Sequence, residues 1–210
     1  MVDFKTLARP GIRGLRAYDP GHDLVALRRR LAESGPSGAR LIELGSNENP
    51  YGAGPAAKRA VEAALDRIHV YPDPLGADLK RALSAWHGVD PSRILLGNGS
   101  RELLMQFAQV FAGPESEVVA SQYGFAVYAL AAQAAGARLV LAPAFESAHA
   151  MPRGHDLEAV LAAIGPDTRL VYLANPNNPT GTWFGADAFA GFIAQVPDDV
   201  VVVIDEAYAE

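Results

Sequence analysis

The chain has 210 residues, half of them hydrophobic, with 20 glycines, 15 prolines, no cysteine and a formal net charge of −6. This is the composition of a folded globular protein, and its acidic balance excludes the basic face that a nucleic-acid-binding surface needs. The absence of cysteine rules out disulfides, zinc-thiolate centres and cysteine nucleophiles.

The start, Met1-Val2-Asp3-Phe4-Lys5, carries charges where an export signal needs an apolar core, so a cytoplasmic protein is expected. Residues 1–21 are rich in Gly, Pro and Arg without a clear period and read as an irregular arm. Leu24, Leu27 and Leu31 recur at helical spacing, which predicts a short amphipathic helix over His22–Glu33. Arg28-Arg29-Arg30, the one basic run, sits on it beside Glu33 and reads as a solvated face. Ser34-Gly35-Pro36-Ser37-Gly38 ends that helix, and Leu41–Leu44 is expected as a short strand. The strand runs into Gly45-Ser46-Asn47-Glu48-Asn49-Pro50-Tyr51-Gly52, whose residues are those of ordinary turns.

Helices are predicted over Ala53–Ile68 and Gly76–Gly88, separated by the helix-breaking Val70-Tyr71-Pro72-Asp73-Pro74. Arg93–Leu96 is read as a strand, followed by Gly97-Asn98-Gly99-Ser100-Arg101-Glu102 and a helix carrying Leu103, Leu104, Phe107, Ala108 and Phe111. Strand, glycine-rich turn and helix N-terminus together make a site for a dianion, because glycine lets the backbone approach and the first-turn N–H groups point outward. Gly-x-Gly turns are common, however, and Ser100 is equally suited to be an N-cap.

Glu117–Ala120 is the next predicted strand, with Ser121-Gln122-Tyr123-Gly124 at its carboxyl end. A helix follows to Ala135, on which Tyr123, Phe125 and Tyr128 would serve as core aromatics. The apolar region from Phe125 to Phe145 is broken by Gln133, Gly136, Arg138 and Pro143, which excludes a transmembrane helix. A strand is expected over Arg138–Leu141 and a helix over His155–Ile164. His22, His69, His87, His149 and His155 fall at no metal-ligand spacing, so no metal site is expected.

The last quarter is the most informative. Leu170–Ala174 and Val200–Ile204 are continuous apolar runs, as in strands buried on both faces of a parallel sheet. Gly185–Val196 has the length of a crossover helix, which makes the segment a βαβ unit. The first strand empties into Asn175-Pro176-Asn177-Asn178-Pro179-Thr180-Gly181 and the second into Asp205-Glu206-Ala207-Tyr208. A cis bond is expected at one of the two Asn-Pro peptides. In open α/β sheets ligands bind beyond the carboxyl ends of the strands, where both clusters fall.

These two motifs, in this order, resemble the fold-type-I pyridoxal-phosphate (PLP) aminotransferases. Ser46–Gly52, Tyr71-Pro72 and Gly97-Asn98-Gly99-Ser100 narrow the resemblance to the histidinol-phosphate aminotransferases, from about Pro10 to the last residue. It implies an α/β fold with an aspartate aminotransferase-like large domain, a mostly parallel sheet with helices on both faces, incomplete at its C-terminus. Residues 1–45 would be an N-terminal arm and part of a small domain, and 46–210 the N-terminal part of the large domain. The implied cofactor is PLP. Gly99, Ser100, Arg101 and a neighbouring subunit's Tyr71 would hold its phosphate, and Tyr123 would stack on its ring. Asp205 would pair with the ring nitrogen, and Asn178 and Tyr208 with the phenolic oxygen. Asn49 would touch substrate. The family usually has an acidic or amide residue where this chain has Arg101; a backbone-amide contact survives that change.

The implied reaction exchanges the amine of histidinol phosphate with 2-oxoglutarate to give glutamate, in a cytoplasmic homodimer, with neither nucleic acid nor membrane as partner. The family's Schiff-base lysine and two anion-binding arginines would lie beyond Glu210. None of Lys5, Lys58 and Lys80 has a matching context, so this chain is expected to be inactive alone. Alternatives on the same fold are an aromatic amino-acid aminotransferase, a threonine-phosphate decarboxylase or a non-catalytic fragment.

Overall fold

The computed structural model of the protein describes residues 4–15, 24–33, 42 and 44–209. The chain forms two compact units, one of Met1–Tyr18 with Leu96–Glu210 and one of Asp19–Leu95. The larger unit opens with a 3₁₀ turn at Phe4–Leu7, followed by a single helical turn, α1 (Pro10–Arg13).

The smaller unit holds α2 (Leu24–Glu33), α3 (Pro55–Ala64) and α4 (Ala77–His87). Pro55 begins α3 at a position where its missing N–H costs nothing. The predicted Ala53–Ile68 helix is shorter than expected, because it tightens into a 3₁₀ turn at Leu65–Arg67. Before α4, the Asp73 carboxylate accepts from Leu75 N at 3.0 Å and Ala77 N at 2.7 Å. Those amide bonds hold the Asp73 carboxyl below its ordinary pKa. Gly88, at φ 66°, ends α4 in the left-handed conformation. The strand expected at Leu41–Leu44 falls partly outside the described residues, at 41 and 43, and neither Ile42 nor Leu44 is in a strand.

A second expected strand is absent. A 3₁₀ turn covers Pro91–Arg93, and residues 94–97 belong to no strand. Ile94 is extended, at φ −100° and ψ 118°. A strand exists only where a neighbour takes up its N–H and C=O groups, and among the described residues no strand pairs with this segment.

The larger unit continues with α5 (Ser100–Phe111), β1 (Glu117–Ser121), α6 (Ala126–Ala135) and β2 (Arg138–Ala142). It then runs through α7 (Leu157–Ala162), β3 (Thr168–Ala174), α8 (Ala186–Ile193) and β4 (Val201–Asp205). The four strands form one sheet in the order β2-β1-β3-β4, with every pair parallel. The α/β fold with helices on both faces is therefore as expected. One apolar layer sets Leu104 and Ala108 of α5 and Val127, Tyr128 and Ala131 of α6 against Val118, Leu170 and Tyr172. The other sets Val160 of α7 and Phe192 of α8 against Val119, Val171 and Leu173. Alternate residues of β1 and β3 thus point into different layers, which is why both strands read as unbroken apolar runs.

Val201–Ile204 reads the same way but is only half buried. The reason is its place: among the described residues β4 is an outer strand with one neighbour, β3. Along β4 and α5 runs an apolar groove of about 390 Å³ lined by Leu103, Phe107, Val202 and Val203.

In α1, Gly11 packs directly on α6. A Cβ built there would stand 2.2 Å from the Gln133 carbonyl oxygen, closer than any real contact. Gly11→Ala is expected to push α1 off α6 and lower stability by about 1–3 kcal/mol, read from urea unfolding.

Candidate functional site

From β1 the chain crosses to β2 on one side, whereas β3 lies on the other. The loops leaving β1 and β3 therefore separate and open a crevice between them. Asn177 spans it: its Nδ2 donates to the Tyr123 carbonyl at 3.0 Å and to Thr180 Oγ1 at 2.7 Å. Asn175 exchanges two hydrogen bonds with the Phe184 backbone, at 3.0 and 3.1 Å. These two asparagines shape the loop and leave Asn178 at the crevice. Both Asn-Pro bonds, Asn175-Pro176 and Asn178-Pro179, are cis, one more than expected.

At the third edge stands the amino end of α5. Its N-cap is Gly99, at φ 77°, and no side chain caps the helix. Ser100 is thus the first helical residue, and its hydroxyl is not used as a cap. The positive φ is what calls for glycine at 99, since a Cβ there would meet nothing within 4 Å. Glu102 folds back to accept from both Asn98 nitrogens, which steadies the turn.

Asp205 ends β4. Its Oδ2 accepts from the Tyr128 hydroxyl at 3.0 Å and its Oδ1 from Ala207 N at 3.2 Å. Burial, reinforced by the Asp205 charge, pushes the Tyr128 phenol far above its ordinary pKa, so its proton stays in place as a donor.

These elements enclose a cleft of about 80 Å³ lined by Ser100, Phe125, Ala174, Pro176, Asn178, Asp205, Ala207 and Tyr208. Four residues nominated from the sequence, Ser100, Asn178, Asp205 and Tyr208, thus meet in one place. Gly99, the N-cap, and Arg101 flank Ser100 at the amino end of α5. Tyr123 is outside the lining: its ring is exposed, with the Arg153 guanidinium 5.6 Å from its centroid. Asn49 and Tyr71 belong to the smaller unit. There Asn49 Oδ1 accepts from Tyr51 N at 3.0 Å within a turn, and the Tyr71 side chain is exposed.

Sequence reasoning missed the site roles of Phe125 and Tyr128, which it assigned to the core. The signal available was a lone tyrosine in the alanine-rich helix Ala126–Ala135. It also missed His155, which is buried and accepts from Ala174 N at 3.3 Å, holding the end of β3 beside the cleft. Burial pushes the His155 pKa down from 6.5 to about 4. A histidine kept neutral in the fold stabilises it above pH 6.5, and that contribution disappears as pH falls towards 4. The expected loss is on the order of 3 kcal/mol, and His155→Gln should remove this part of the pH dependence of urea unfolding between pH 7 and 4.

A larger hollow of about 530 Å³ lies between α7, α8 and the preceding loop, lined by Phe145, Trp183, Phe184 and Phe192. It gathers none of the nominated residues; chemistry, rather than size, selects the smaller cleft. The cleft alone has room for two or three waters at about 30 Å³ each, so a larger ligand would lie across its mouth. Its donor set nevertheless matches a pyridine ring bearing a phosphate and a phenolic oxygen. A helix N-terminus would suit the dianion, a carboxylate the ring nitrogen, and an amide with a phenol the oxygen. The lining contains no lysine.

Residues 39–210 match the family profile of the class I and II aminotransferases. Histidinol-phosphate aminotransferase 2 of Pseudomonas aeruginosa is 49% identical over the whole chain, and its counterpart in Methylococcus capsulatus is 45% identical. The chain spans 54% and 55% of those proteins, about half their length. A crystal structure of histidinol-phosphate aminotransferase from Sinorhizobium meliloti in complex with pyridoxal-5'-phosphate superposes with a TM-score of 0.80 at 33% identity. It covers 95% of this chain and 50% of its own. Aspartate aminotransferase from Thermus thermophilus, at 22% identity and a TM-score of 0.76, shares the fold over 96% of this chain and 53% of its own.

Proposed function

The chain belongs to the class I and II aminotransferases, and on that premise we propose that it forms the cofactor-binding half of a PLP-dependent histidinol-phosphate aminotransferase. The observation that carries this reading is the meeting of Ser100, Asn178, Asp205 and Tyr208 in one cleft.

When bound, PLP supplies an electron sink for the carbanion formed at an amino-acid α-carbon. Asp205 would hold a proton on the ring nitrogen, because a carboxylate beside it favours the charged form. Asn178 Nδ2 and the Tyr208 hydroxyl would donate to the phenolic oxygen. The amino end of α5, with Gly99 and the Ser100 hydroxyl, would bind the phosphate, and Arg101 would add positive charge close by. Tyr123, at the crevice edge, would cover the ring face. Tyr71 would complete the phosphate site of a second copy in a homodimer, and Asn49 would meet the substrate. The lysine that anchors the cofactor would come from the half of the family's length that this chain does not span. Histidinol phosphate and 2-oxoglutarate would be the substrates, and the enzyme would act in the cytoplasm.

Two measurements test this. The 210-residue chain should bind PLP, seen as quenching of its tryptophan fluorescence; absence of binding would overturn the cofactor assignment. A polypeptide of the relatives' full length should form glutamate from histidinol phosphate and 2-oxoglutarate. Glutamate formation from an aromatic amino acid alone would move it to the aromatic branch of the fold.

A further inference from the structure

Behind the cleft, two tyrosines connect the elements that would hold opposite ends of the cofactor. Tyr128 is 1% exposed and Tyr172 is fully buried. Their rings stack with centroids 4.9 Å apart and planes within 6°. The Tyr128 hydroxyl donates to Asp205 Oδ2 at 3.0 Å, and the Tyr172 hydroxyl donates to the Leu104 carbonyl at 2.5 Å. Leu104 lies one turn into α5, the helix that begins at Ser100. Phe125, which lines the cleft, packs edge-on against Tyr128 with centroids 6.0 Å apart.

A carboxylate at the end of an outer strand has a soft terminal torsion and turns easily. Here the Ala207 amide holds one oxygen and a buried phenol the other, which fixes the plane of the group. Each oxygen keeps a second lone pair for a further donor. The phenol is itself clamped by the stack and by Phe125, so its hydroxyl has one direction to point.

We propose that Tyr128 is a positioning residue for the cofactor's ring nitrogen. It holds the Asp205 carboxylate at a fixed orientation, its own ring held in place by the stack on Tyr172. The proposal rests on the assignment of Asp205 to that nitrogen. The bland reading is that the Tyr128 hydroxyl finds an acceptor merely because it is buried.

Two ligands separate the readings: PLP, and an analogue whose ring nitrogen is replaced by C–H. Their dissociation constants are measured by tryptophan fluorescence on the 210-residue chain, with a thermal melt showing that each variant is folded. Wild type should prefer PLP. Tyr128→Phe keeps the ring and the stack; it should shrink that preference about tenfold and leave affinity for the analogue unchanged. Tyr172→Phe deletes a hydroxyl from the same stack without touching Asp205 and should keep the preference. In an Asp205→Ala background, Tyr128→Phe should have no further effect.

The proposal is overturned if Tyr128→Phe weakens both ligands equally, retains the preference, or behaves as Tyr172→Phe does. If Asp205→Ala abolishes the preference and Tyr128→Phe does not, Asp205 stands and Tyr128 falls. If wild type shows no preference, the Asp205 assignment falls first and Tyr128 with it.

Discussion

Asp205→Ala is expected to weaken PLP binding by about ten- to a hundredfold, the worth of one hydrogen bond to a charged group in a shielded site. The loss should appear as a higher dissociation constant in a fluorescence titration. Asp205→Asn is the informative companion. Its amide oxygen can still accept from Tyr128, whose proton is held by burial, but it brings no negative charge to stabilise a protonated ring nitrogen. If charge is what matters, the asparagine variant should bind nearly as poorly as the alanine variant. Equal binding by wild type and Asp205→Asn would show that shape suffices and would remove the proposed role. The alanine variant should also lose about 1–3 kcal/mol of stability, because the buried Tyr128 hydroxyl is left without its acceptor.

Tyr172→Ala should have the largest effect on folding. The side chain is fully buried at the middle of β3, stacked on Tyr128 and bonded to α5. Removing an aromatic ring from such a place costs about 3–5 kcal/mol, before the lost hydrogen bond is counted. Domains of this size hold only about 5–15 kcal/mol in total. The variant is therefore expected to be largely unfolded or near its midpoint in water, read by far-ultraviolet circular dichroism and urea titration. Tyr172→Phe, which keeps the ring, should lose about 1 kcal/mol. A Tyr172→Ala protein with wild-type unfolding would mean that the layer between the sheet and α5–α6 contributes little, contrary to the packing seen.

What could be read from the sequence followed from how local the cause was. β1 and β3 announce themselves because their residues are buried on both faces, and α5 because glycine at 99 precedes a helical apolar pattern. Asn178 and Asp205 were legible as polar residues at strand ends, and the resemblance supplied their grouping. Arg93–Leu96 misled because an extended apolar segment is a strand only with a partner, and pairing is not a local property. The Tyr128–Asp205 bond joins residues 77 positions apart, and although a lone tyrosine in an alanine-rich helix stands out, nothing local names its partner. His155 gave no signal beyond its lack of metal-ligand spacing, because its burial comes from the fold around Ala174, not from its own flanks.

The strand order has a consequence for amide hydrogen exchange. β3 is flanked by β1 and β4, so its amides open only when the sheet does, and Leu170–Leu173 should be among the slowest to exchange. Among the described residues β4 has a neighbour on one side only, and its amides from Val201 to Asp205 should exchange through smaller, more frequent openings. The carboxylate assigned to the ring nitrogen is thus mounted on an outer strand of the sheet. A ligand that engages Asp205 should slow exchange along β4 well before it changes exchange in β3.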